Sequence, residues 1–281
     1  MIKLSIIIPN WNSEEYILDC LKSIHNNCQV QPFETIIVDN ASSDNSVKLI
    51  TGLYPEIRLI QNNDNLGFTK AVNMGIDNAR GEIILLLNND TVVINKAIDK
   101  MYGFLRENEQ IAAVSCQFLN PDKTIQRSCM NFPGPGAIFF HGTILNELFK
   151  NNPFVKKYFM HGWDHNTTCR IDQPPAACLM TRKEVFKKIG LFDENFYLYF
   201  SDVDWCKRLK ENGLAVYFLS DCQIIHLCGA STKKINMFKF WHRDRFNYVK
   251  KHFNRFIFLV YVIVISLTLI IKKISGRISL R

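Results

Sequence analysis

Leu85-Leu86-Leu87-Asn88-Asn89-Asp90 joins an apolar run to two amides and a carboxylate. Three leucines between Gly81 and an Asn/Asp cluster predict a strand buried on both faces. Oxygen ligands at the carboxyl end of such a strand suit a hard divalent cation, Mg²⁺ or Mn²⁺, held beside a diphosphate. An Asx turn is the plainer alternative. Pro9-Asn10 and Asp39-Asn40 likewise follow apolar runs at residues 4–8 and 35–38. Further on, Asp202-Val203-Asp204 opens a helical pattern, and His226 stands in a block with Ser231 and Thr232.

These groups need elements to bring them together. Strands are expected at residues 4–8, 35–38, 57–61 and 83–87, with helices at 17–24, 45–53 and 68–79 between them. Residues 12–15 fit a capping box for the first helix. This rhythm predicts an α/β fold with a doubly wound, mostly parallel sheet. In such sheets ligands sit at the carboxyl ends of the strands, where the polar clusters fall. Beyond residue 110 a strand is expected at 112–118, helices at 182–189 and 203–212, and strands at 215–219 and 223–227. Residues 131–173 show no clear period. The expected organisation is a domain over 1–232, with a nucleotide half (1–110) and an acceptor half (111–232), followed by a helical tail over 233–281.

The charge belongs to that tail. Residues 233–281 hold twelve Lys or Arg and one acid, Asp244, for a net +11. The whole chain is +8, so the first 232 residues carry −3. A basic tail around an apolar run points to a membrane surface and away from nucleic acid. Residues 256–271 contain no charge; sixteen residues is short of the roughly 20 that span a bilayer. The run can span with snorkelling lysines, lie in the interface, or be a core helix. No signal-peptide pattern is read at the start, because Lys3 is followed by only five apolar or small residues before Pro9. Nine scattered cysteines without zinc spacing read as reduced cytosolic thiols.

In this order the motifs resemble the family-2 inverting glycosyltransferases of GT-A fold, and among them the bacterial rhamnosyltransferase-like branch of surface-polysaccharide synthesis. The residues are Val38-Asp39-Asn40-Ala41-Ser42-Ser43-Asp44, Asn65-Leu66-Gly67-Phe68, Leu87-Asn88-Asn89-Asp90, Pro175-Ala176-Ala177-Cys178-Leu179-Met180, Gly190-Leu191-Phe192-Asp193-Glu194 with Asp202-Val203-Asp204, and His226-Leu227-Cys228-Gly229-Ala230-Ser231. The resemblance implies transfer of a sugar from a dTDP- or UDP-linked donor, rhamnose first, with UDP-galactose and UDP-GlcNAc as alternatives. The implied acceptor is a polyprenyl-diphosphate-linked glycan at the cytoplasmic face of the cell membrane.

It assigns Asp39 to the pyrimidine or ribose, with Pro9, Asn10, Asn12, Asn65, Asn88 and Asn89 as further nucleotide-side candidates. Asp90 matches the last carboxylate of the metal motif, and His226 matches a histidine that ligates the ion in some relatives. The first motif position is Asn88 where Asp is usual, which leaves fewer anionic ligands. Asp202 is the candidate base, with Asp204 as rival and a helix cap as the alternative. Relatives usually carry an acid just before it; here Ser201 stands there. Trp163, His161 and Trp205 are acceptor-side candidates for stacking on a sugar ring. Two other readings compete. A nucleotidyltransferase would want a Gly-rich phosphate loop with a Lys near residue 10, and Asn10-Trp11-Asn12 offers none. A non-catalytic nucleotide-sugar binder of the same fold is the other.

Overall fold

The structure is a computed structural model, and it describes residues 1–227 and 237–274. Cys228 to Ser231 of the last motif, Thr232, and the basic residues Lys233, Lys234, Arg277 and Arg281 lie outside the described residues.

The first half follows the expected rhythm. Strands β1 (Leu4–Asn10), β2 (Phe33–Asp39), β3 (Arg58–Gln61) and β4 (Ile83–Leu87) alternate with helices α1 (Ile17–Asn27), α2 (Ser46–Leu53) and α3 (Phe68–Asn78). β1 pairs in parallel with β2 and β4, and β2 with β3. The leucine run is apolar at every position because β4 is covered on both faces. Ile83, Leu85 and Leu87 join one core with Ile17, Leu21 and Met101; Ile84 and Leu86 join the other with Val72 and Ile76.

The second half is mixed. It comprises β5 (Thr91–Val93), α4 (Ala97–Glu107), β6 (Ile111–Leu119), β7 (Ile125–Gln126), α5 (Pro135–Phe140), α6 (Ile144–Leu148), α7 (Pro153–Tyr158), β8 (Cys169–Ile171), β9 (Cys178–Arg182), α8 (Lys183–Ile189), α9 (Ser201–Glu211) and β10 (Ala215–His226). The sheet order is β3-β2-β1-β4-β9-β6-β10-β5. β9 lies antiparallel between β4 and β6, while β10 runs parallel to β6 and antiparallel to β5. The two strands expected at 215–227 are one strand with a register shift between Leu219 and Gln223. Three short helices fill the stretch that shows no period.

Two local expectations are corrected. The capping box at 12–15 does not form: α1 starts at Ile17 without a side-chain cap. Asn12 Oδ1 accepts the Ser43 N–H (2.8 Å), and the Glu14 carboxylate takes the Asn45 N–H and amide, so both tie this loop to the one after β2. Nor does the described part of the tail, residues 237–274, stand apart from the body. Helix α10 (Met237–His252) buries Asp244, Arg245, Tyr248 and Val249. Helix α11 (Arg255–Ile274) buries Tyr261, Ile265 and Thr268.

Candidate active site

Strand register gathers the polar ends. Because β9 is antiparallel to β4, its first residue, Cys178, pairs with Leu87, the last of β4. Pro175-Ala176-Ala177 therefore enter beside Asn88-Asn89-Asp90. The far end of β10 pairs with β5 so that His226 lies opposite Thr91, next to Asp90. The Asn88 N–H donates to Ala177 O (2.9 Å), Thr91 Oγ1 donates to Asn88 O (2.7 Å), and the Leu227 N–H donates to Asp90 O (3.0 Å). These bonds lock the turn after β4.

The result is a cleft of about 320 Å³ at the carboxyl ends of β1 and β4. Pro9, Asn10, Asn65, Asn88, Asn89, Asp90, Asp202 and His226 line it, so eight of the candidate residues share one wall system. Trp11, Asn40, Gly67 and residues 197–199 line it as well.

Asp90 is 1% exposed, and its Oδ1 lies 3.5 Å from His226 Nε2. The histidine tautomer follows from its other neighbour. Gln126 Nε2 donates to Asn120 Oδ1 (3.0 Å) and to His226 O (3.1 Å), which turns Gln126 Oε1 toward His226 Nδ1 at 2.7 Å. An acceptor there requires the proton on Nδ1. Burial lowers the His226 pKa against the opposing charge of Asp90, so the ring is neutral and Nε2 presents a lone pair. A carboxylate oxygen and an imidazole nitrogen then face each other, a donor pair that fits a divalent cation such as Mn²⁺. No group of three or more His, Cys, Asp or Glu placed to hold a metal ion exists among the described residues. Phosphate oxygens and water would complete the shell, as is usual for Mg²⁺ beside a nucleotide.

Asp202 sits in the first turn of α9 and faces the cleft. Its Oδ2 accepts the Ala176 N–H (3.1 Å) and its Oδ1 the Val203 N–H (2.8 Å). Burial raises its pKa, and these two bonds oppose the rise. Desolvation thus raises the carboxyl pKa with Ser201, not an acid, at the preceding position.

Other candidates stand elsewhere. Asp39 is 2% exposed beneath the wall: its Oδ1 accepts from Asn10 Nδ2 (2.7 Å) and Ser42 Oγ (2.5 Å), and its Oδ2 from the Ser42 N–H (3.0 Å). Asn10 Oδ1 in turn accepts from Asn89 Nδ2 (3.1 Å) and from Ser13 Oγ. Asp39 thereby supports Asn10 directly and Asn89 through it, and it is not among the residues that line the cleft. Asn12 is likewise spent on Ser43. Asp204 is fully buried and bonded to Arg208 (2.9 Å), Lys251 (2.7 Å) and His252 (2.7 Å). Trp205 is 0% exposed, stacked on Phe192 at 5.4 Å, with its N–H on Gly190 O. Trp163 stacks on His165 (3.9 Å) and meets Phe218 edge-on, while His161 is exposed away from the cleft. None of these lines the pocket: Trp205 is packed in the core, Trp163 is half-buried and His161 is exposed.

The wall formed by residues 197–199 was not expected. Tyr197 Oη donates to Asn65, 3.0 Å from both its backbone and side-chain oxygens, and the ring lies where a Cβ on Gly67 (φ +88°) would come within 2.5 Å. Only glycine fits that approach. The N–H groups of Tyr197, Leu198 and Tyr199 all donate to Asp244 Oδ2 at 3.1, 2.8 and 2.9 Å. Asp244, on α10, is 0% exposed. Its one visible sign in the sequence is that it stands as a lone acid among twelve basic residues.

The chain is similar to several known proteins. The O-antigen biosynthesis protein RfbC of Myxococcus xanthus is 27% identical over 234 residues, which is 82% of this chain and 18% of that protein. The N-acetylglucosaminyl-diphospho-decaprenol L-rhamnosyltransferase of Mycobacterium tuberculosis is 23% identical, over 72% of this chain and 69% of that protein. The crystal structure of GalNAc-T7 with UDP, GalNAc and Mn²⁺ superposes with a TM-score of 0.64 at 13% identity, over 89% of this chain and 48% of that one. That likeness is one of fold, the GT-A fold. The Glycosyl transferase family 2 profile matches residues 5–190, well over half of the sequence, and the chain therefore belongs to glycosyl transferase family 2.

Proposed function

We propose that this chain transfers a sugar, with inversion, from a nucleoside diphosphate to a hydroxyl of a lipid-linked glycan in surface-polysaccharide synthesis. The observation that carries the reading is the convergence of Asp202 with the Asp90–His226 pair on one cleft. Asp202 takes the proton from the acceptor hydroxyl as its oxygen forms the bond to C1. The C1–O bond to the diphosphate breaks on the opposite face, and attack from that side inverts the anomeric centre. Mg²⁺ or Mn²⁺, held by Asp90 and His226, would neutralise the departing diphosphate. Pro9, Asn10, Asn65, Asn88 and Asn89 would hold the nucleotide, with Asp39 and Asn12 fixing the loops behind them. The donor sugar is taken as rhamnose on dTDP; the mycobacterial relative's name supports rhamnose, and the name of a Shigella flexneri relative, dTDP-rhamnosyl transferase RfbF, supports dTDP. The acceptor is taken as a polyprenyl-diphosphate glycan at the cytoplasmic membrane face, supported by that name and by the basic residues flanking α11.

A thermal-shift panel of dTDP-rhamnose, UDP-galactose and UDP-GlcNAc with and without Mn²⁺ tests the donor, because a bound ligand raises Tm by mass action. The expected result is a metal-dependent rise with dTDP-rhamnose above the others. A rise with UDP-galactose or UDP-GlcNAc alone replaces the sugar. No rise with any donor overturns the reading.

A further inference from the structure

We propose that α11 lies in the plane of an anionic bilayer surface, one side held to the protein and the other immersed among lipids, and does not cross the membrane. The proposal rests on the reading that this chain works at a membrane. By length and composition α11 could cross one. Its contacts argue otherwise. Phe258 meets Phe246 edge-on at 5.1 Å. Tyr261 and Ile265 are buried with Ile138 of α5 and Val249 of α10. The Arg245 guanidinium lies 5.3 Å from the Tyr261 ring. Thr268 Oγ1 accepts the Ile144 N–H (3.1 Å), and Lys272 pairs with Glu147 (3.3 Å). From Phe258 to Lys272 the helix is thus held to the body over about 21 Å. A crossing helix would carry Arg245 and Glu147 into a hydrocarbon core about 30 Å thick, where charges are costly.

The other side of α11 is a single apolar row. Phe256, Leu259, Ile263, Leu267, Ile270 and Ile274 recur at spacings of three and four, and each is at least 51% exposed. Next to Glu147, the partner of Lys272, Leu148 and Phe149 are also exposed, at 68% and 59%. An apolar surface of this extent needs a cover. Charge complementarity selects lipid. α11 contains no acid; the exposed Lys250 and Arg255 precede the row and the exposed Lys273 stands at its far end beside Ile274, while Lys251 and Lys272 are paired with acids of the body. That is the pattern of an interfacial helix on anionic head groups. A second copy packed as a coiled coil would bring charged flanks that choose the partner, and residues 256–271 hold none.

Full-length protein is floated with vesicles of phosphatidylcholine, alone and mixed with phosphatidylglycerol. Binding is expected to rise with the anionic fraction and fall with salt. Leu259→Trp, Ile263→Trp, Leu267→Trp and Ile270→Trp are then read, each against the parent, for quenching by lipids brominated at known depths. In-plane seating gives all four one shallow depth. A spanning helix gives a gradient, with Ile263→Trp and Leu267→Trp deepest, and overturns the proposal while leaving the membrane reading intact. Ile263→Glu with Leu267→Glu should weaken vesicle binding by about tenfold or more, with the thermal shift on donor unchanged. A parent that binds no vesicle overturns the membrane reading and the proposal together, while the donor panel still judges sugar transfer. A dimer in sedimentation that the double Glu variant abolishes, without vesicle binding, makes a second copy the cover.

Discussion

Asp202 and Asp204 lie two positions apart in one helix and have opposite environments. Burial raises the Asp202 pKa, whereas Asp204, though burial pushes it upward, is held down to about 2 by His252, Lys251 and Arg208. A group that must accept a proton gains from the first setting, and one that must stay charged in a core needs the second. Asp202→Asn is therefore expected to lower kcat by about 10² to 10⁴ while donor affinity, measured separately, is kept. In the parent, kcat/KM should fall on the acid side with an apparent pKa above the ordinary carboxylate value, since protonated Asp202 takes no proton. Asp204→Asn should instead leave kcat per folded molecule close to the parent and cost about 3–5 kcal/mol of stability, because it breaks a buried charge cluster. If Asp204→Asn is inactive at unchanged Tm, the two roles are reversed. Asp90→Ala should abolish transfer, and excess EDTA should do the same to the parent. Full activity in EDTA would mean that fixed cations of the protein serve the diphosphate and that Asp90 only shapes the turn.

α9 and α10 work as a pair. Lys251 and His252 of α10 meet Asp204 of α9, and Asp244 of α10 holds three successive N–H groups of the segment that leads into α9. Asp244→Ala would leave these donors without an acceptor, at about 1–3 kcal/mol each where water cannot replace it. The expected outcome is a lower Tm and a raised KM for donor, with Asp244→Asn partly restoring both through its one remaining oxygen. An unchanged donor KM would show that the 197–199 wall stands without the clamp. The same pairing sets an acid limit. Asp204 titrates near 3.8 when unfolded and near 2 when folded, so between those values the unfolded chain binds the proton first. Stability should fall as pH drops through that window, and Asp204→Asn should flatten the fall. Little of this was legible in the sequence. β1, β2 and β4 were, because strands covered on both faces read as largely apolar runs, and their ends named Asn10, Asp90 and their neighbours; β3 is a half-buried edge strand. The place of β9 between β4 and β6 was not, since nothing local in Cys178–Arg182 states which strand it pairs with. Asp244 was hidden for a related reason: its partners are backbone groups 45 to 47 residues away. Asp39 was placed at the right strand end, but its bonds to Asn10 and Ser42 were not legible, because both partners are set by how the loops after β1 and β2 fold together.

At the scale of the whole molecule the chain carries its positive charge and its bare apolar row in the last fifty residues, and yet α10 and α11 within them are built into the catalytic body. A chain ending at Asn254 tests how far. It would lose α11, and with it the cover over Ile138 and Val249, the Tyr261 face beside Arg245, and the Thr268 acceptor for Ile144. Arg245 Nη2 donates to Ile138 O, and Arg245 directly follows Asp244 in α10, so loosening this layer should reach the pocket wall. We expect the shortened chain to show a lower Tm and weaker donor binding than the parent. Ile263→Glu with Leu267→Glu, which changes only the outer row, should keep both. A soluble enzyme would then come from altering the row and not from removing the helix. If the shortened chain instead matches the parent in Tm and donor affinity, the packing of α11 on α5 and α10 contributes nothing to the body, and α11 is an appendage tied to the membrane alone.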